Sequence, residues 1–86
     1  MSETNAGSTL EITSTLDVRE IGHGQRHPLI FKTYHALKPG QAFILVVDHD
    51  PKPVLLELDF IQHGAFKSTY LEKGPEVWRI QMAKIN

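Results

Sequence analysis

At 86 residues and 41% hydrophobic content, the chain has room for one domain with a packed but thin core. Ten acidic residues against nine basic ones give a net charge of −1, without the basic excess of a general nucleic-acid binder. Cysteine is absent, which excludes disulfides, thiol catalysis and cysteine-bound zinc or iron–sulfur centres.

In chain order, residues 1–13 are rich in Ser, Thr, Asn and Gly with few apolar anchors. They are expected to form a disordered tail, leaving residues 14–86 as a single domain. The start has no basic region followed by an apolar run, and no stretch approaches the roughly 20 apolar residues of a membrane span. A cytoplasmic protein without membrane contact is expected.

Residues 15–21 alternate and predict a first strand, with Leu16, Val18 and Ile21 facing inward. Gly22 to Gln25 reads as a loop. His27-Pro28 opens a first helix over residues 27–38, with His27 at or beside the N-cap and Pro28 in the first turn. Its inward candidates are Leu29, Phe31, Tyr34 and Leu37, flanked by Ile30. Lys38-Pro39-Gly40 stops it.

The unbroken apolar run Phe43 to Val47 predicts a central strand over 42–48, buried on both faces. Asp50 then offers an N-cap carboxylate and Pro51 a first helical residue. The following segment, 51–62, fits two periods. Val54, Leu58 and Ile61 suit a helix; Val54, Leu56, Leu58 and Phe60 suit a strand. The Asp-Pro start and the length favour the helix. A third strand is expected over 66–72 and a fourth over 76–84, with Trp78, Ile80 and Met82 sharing a face.

The order βαβαββ implies right-handed crossovers that put both helices on one face of the sheet. The predicted fold is a two-layer α/β (α+β) sandwich. The exits of its first two strands share one edge, bringing His27 near Asp48, His49 and Asp50.

At that edge two imidazoles and a carboxylate would make an open ligand set for a divalent metal, Fe²⁺ or Zn²⁺, centred on His27 and His49. The helix dipoles weigh the other way: they keep His27 neutral and favour an anion, which the carboxylates repel. A structural reading stands beside both. His27 caps or packs, Asp50 caps the second helix, Asp48 bonds loop amides and His49 fills a polar gap. Arg19 is a further ligand candidate at this edge, although a surface ion pair of Asp17 and Arg19 with Glu20 or a neighbouring strand is the stronger reading. His23, His35 and His63 show no ligand spacing. There is no Gly-rich phosphate loop, no Ser/His/Asp arrangement and no metalloprotease helix motif, so a non-enzymatic module is expected.

Several blocks carry a resemblance. Leu16-Asp17-Val18-Arg19, His27-Pro28, Leu37-Lys38-Pro39-Gly40 and Val47-Asp48-His49-Asp50-Pro51 resemble the SirA/TusA-type small sulfur-carrier pattern. Arg26 to Phe31, Asp48 to Pro53 and Leu71 to Trp78 are closer to the signatures of an uncharacterised bacterial domain family of about this length. The resemblance implies a mixed sheet of order 1-2-4-3 with strand four antiparallel to the rest. It also implies a context of hemerythrin-like di-iron domains and nitrosative stress. The sulfur carriers bear their persulfide on a cysteine before the proline. Here that position is His27, and imidazole cannot hold a persulfide. What remains is a small binding or accessory module, monomeric, acting on a protein partner or an attached domain.

Overall fold

The structure, a computed structural model, describes residues 10–86. The elements run β1 (Glu11–Asp17), α1 (His23–His35), β2 (Gln41–Val47), α2 (Lys52–Ile61), β3 (Phe66–Lys73) and β4 (Trp78–Lys84). The four-stranded sheet has the order β1-β2-β4-β3. β1 and β2 are parallel, and β4 runs antiparallel to both β2 and β3.

Sheet order, mixed pairing and element order agree with expectation. The first strand does not sit where its alternation suggested. β1 starts at Glu11, opposite Gln41, and ends at Asp17. Residues 11–13 therefore belong to the sheet and not to a tail; residues 1–9 of the expected tail lie outside the described residues. Ile12, Thr13 and Thr15 are β-branched and suit a pleated surface. Thr13 adds a hydroxyl bond to the Ala42 carbonyl at 3.3 Å.

β2 is the centre of the packing. On one face Phe43, Leu45 and Val47 join Ile80 and Met82 of β4 in a cluster. Ile30 and Tyr34 of α1 and Val54, Leu55 and Leu58 of α2 close over it, so both helices lie on this face. Ala42, Ile44 and Val46 on the opposite face are buried too, which is why the run lacks alternation. Tyr34 is fully buried, stands edge-on to Phe66 at 5.5 Å and donates its hydroxyl proton to the Ala65 carbonyl.

Both helix starts differ from expectation. α1 begins at His23 with Gly22 as N-cap, so Pro28 lies inside the helix and His27 in its second turn. α2 begins at Lys52 with Pro51 as N-cap and no side-chain cap. Asp50 does not cap it. Its carboxylate instead accepts the Tyr70 hydroxyl of β3 at 2.5 Å. Among the described residues no helix is long and apolar enough to cross a membrane.

Candidate binding site

The exits of β1 and β2 are tied together by Arg26, which opens the Arg26–Phe31 block but is not among the expected site residues. It is the only charged residue buried among those described. Arg26 Nε donates to the Ile21 carbonyl at 2.7 Å, and Nη2 to the Arg19 carbonyl at 3.2 Å. Nη1 and Nη2 also donate to the two oxygens of Asp48, at 3.0 and 3.2 Å. One planar guanidinium thus binds the loop after β1 to the end of β2. That task suits its fixed fork of donors.

Asp48 is held far below the usual carboxylate range, first by Arg26 and then by His49. As an anion it only accepts, so His49 donates to it from Nδ1, at 2.7 Å. The tautomer follows: Nε2 is the remaining nitrogen of His49, and His49 lines a cleft. The ring of His23, at the start of α1, lies 5.7 Å away between centroids.

The cleft has a volume of about 140 Å³ and sits between the first turns of α1 and α2. His23, Arg26, His27 and His49 supply its nitrogen groups, and Ile30, Val47 and Val54 its apolar wall. No carboxylate lines it. His27 and His49, predicted to come together, do share this cleft. His27 is stacked on Phe31 at 5.0 Å, and its Nε2 meets Glu57 of α2 at 2.7 Å.

The other candidates fall elsewhere. Asp48 faces Arg26 and Asp50 faces Tyr70. Arg19 forms an exposed pair with Asp17 at 2.6 Å. Arg19 holds the Asp17 carboxyl down to about 2, through side-chain and backbone hydrogen bonds. His23, set aside for want of spacing, is part of the cleft because α1 starts one turn early. Among the described residues no group of three His, Asp or Glu side chains is placed to hold a metal ion.

Fold and cleft define a small two-layer α/β domain with a nitrogen-lined hollow at the exits of its parallel strands. The chain belongs to a family of uncharacterized conserved proteins, DUF2249, whose family model matches residues 15–84. The comparison with curated proteins found no match, and neither did the comparison with solved structures.

Proposed function

We propose that the chain is a non-enzymatic binding module whose cleft takes a small anion, of the size of phosphate or a short carboxylate. The observation that carries this reading is the lining: His23, His27, His49 and Arg26 border the hollow, and no carboxylate does. A divalent metal fits less well. The carboxylates it would need are engaged by Arg26, Tyr70 and His27. The N-terminal end of α1 adds its dipole in favour of an anion. α2 contributes less, because Pro51 and Pro53 remove two of the N–H groups at its start. The likeness to SirA/TusA-type carriers supports a binding role without sulfur transfer, since this chain has no cysteine. A link to di-iron or nitrosative-stress proteins follows from the resemblance to the uncharacterised bacterial domain family, not from the sulfur carriers.

Imidazole NMR on the folded protein tests the reading. Adding phosphate or acetate is expected to shift the His23 and His49 ring signals and leave His63 unmoved. The shifts vanish in His49→Ala. A response to Zn²⁺ with none to either anion at millimolar concentration would overturn it.

A further inference from the structure

The outward side of α2 is unusual for a small domain. Phe60 is 85% exposed and Leu56 60%, one helical turn apart. Lys52 lies one turn before Leu56, and Asp59 beside Phe60, so the stripe carries a cation at one end and an anion at the other. Next to it, a groove of about 330 Å³ separates α2 from β3, walled by Leu55, Leu56, Phe66 and Tyr70, with Lys52 and Asp59 at its rim. A protruding aromatic ring and an apolar hollow therefore occupy the same face.

We propose that this face binds a second copy of the chain through an antiparallel pairing of the two α2 helices. With Leu56 on the twofold axis, positions 52 and 60 of opposite copies coincide, because they are equally spaced from 56. Each Phe60 ring then lies against the stem and ammonium of the other Lys52, at the mouth of the other groove. Each Asp59 faces the other Lys52. A parallel pairing would set like charges side by side; only the antiparallel one joins opposite charges twice. Such self-complementarity is the mark of an isologous interface. The free edge of β3 carries Lys67 and Lys73, which disfavour strand-to-strand extension as the mode of contact. This dimer replaces the monomer expected from the sequence. It does not depend on what the cleft binds.

Sedimentation velocity from about 1 μM to about 1 mM tests it. The wild-type chain is expected to pass from monomer to dimer over that range, and Phe60→Glu to raise the dissociation constant at least tenfold. Lys52→Glu and Asp59→Lys are each expected to stay monomeric alone. Mixed in equal amounts they form a heterodimer. The carboxylate introduced at position 52 of one copy then meets the ammonium introduced at position 59 of the other. The unaltered Asp59 of the first copy still meets the unaltered Lys52 of the second. All of these side chains are exposed, and circular dichroism verifies that each variant is folded. A wild-type monomer at the highest concentration, a Phe60→Glu dimer of unchanged affinity, or a mixture that stays monomeric would each overturn the proposal.

Discussion

Arg26→Ala is expected to destabilise the domain by about 3 kcal/mol. The two backbone carbonyls of Arg19 and Ile21 lose their donor, at roughly 1 kcal/mol each. Loss of the buried aliphatic stem adds about 1 kcal/mol. The Asp48 pair adds little to the sum, because its side chain is 42% accessible and water largely replaces the guanidinium. For a domain of this length total stability is roughly 4–13 kcal/mol, so the loss is a large share. It corresponds to a fall of roughly 12–24 °C in Tm. Urea unfolding followed by Trp78 fluorescence measures it. Arg26→Lys is expected to recover less than half, since an ammonium cannot reach Arg19, Ile21 and Asp48 together. A loss below about 1 kcal/mol for Arg26→Ala, at unchanged m-value, would refute the strut.

The remaining predictions concern acid, backbone and tyrosine. Asp48 and Asp17 have depressed carboxyls, so their stabilisation is present above the ordinary carboxylate value near 3.9 and is lost as pH falls through the native value. For Asp17 that window runs from about 4 down to about 2. The acid slope of Tm should be shallower in Arg19→Ala and in Arg26→Ala than in the wild type. Gly74→Ala should cost about 2 kcal/mol in chemical unfolding, because Gly74 has φ +59° and an added Cβ would meet the Trp78 ring at 2.8 Å. Spectrophotometric titration should show late ionisation of both tyrosines. Tyr70 is pushed up to about 12 by burial and by its bond to Asp50, and burial raises Tyr34 as well. A tyrosine titrating at the ordinary value near 10 would contradict this.

What could be read from the sequence was the part governed by local pattern. The apolar run of β2 stated its own burial, and the order of elements followed from it. The errors came where a tertiary partner overrode a local signal. His27-Pro28 looked like a helix start because proline suits a first turn. α1 starts earlier, at His23, and its first turn carries Arg26 into the bonds with Ile21, Arg19 and Asp48. Asp50-Pro51 looked like a cap, yet the hydroxyl of Tyr70, twenty positions along the chain, takes the carboxylate. β1 was placed too late because Leu16 and Val18 dominated the alternation. Before them only Leu10 and Ile12 offer an apolar signal, which could extend a strand but is weak among polar residues, and it is the pairing with β2 that orders this stretch.

The same override gives the cleft its character. As a string, Asp48-His49-Asp50 offers two carboxylates to a cation. In the fold both turn away, one to Arg26 and one to Tyr70, and only the imidazole between them faces the hollow. Asp48 then acts on His49 from behind: it accepts the Nδ1 proton and fixes the orientation of the ring in the cleft. The carboxylates are thus kept out of the cleft by Tyr70, which does not line it, and by Arg26, which does. Arg26 carries two consequences at once, since the guanidinium that holds the strand exits together is also what removes Asp48 from the lining. Stability of the β1–β2 edge and the proposed preference for an anion are linked through that one side chain. A variant that frees Asp48 loses both.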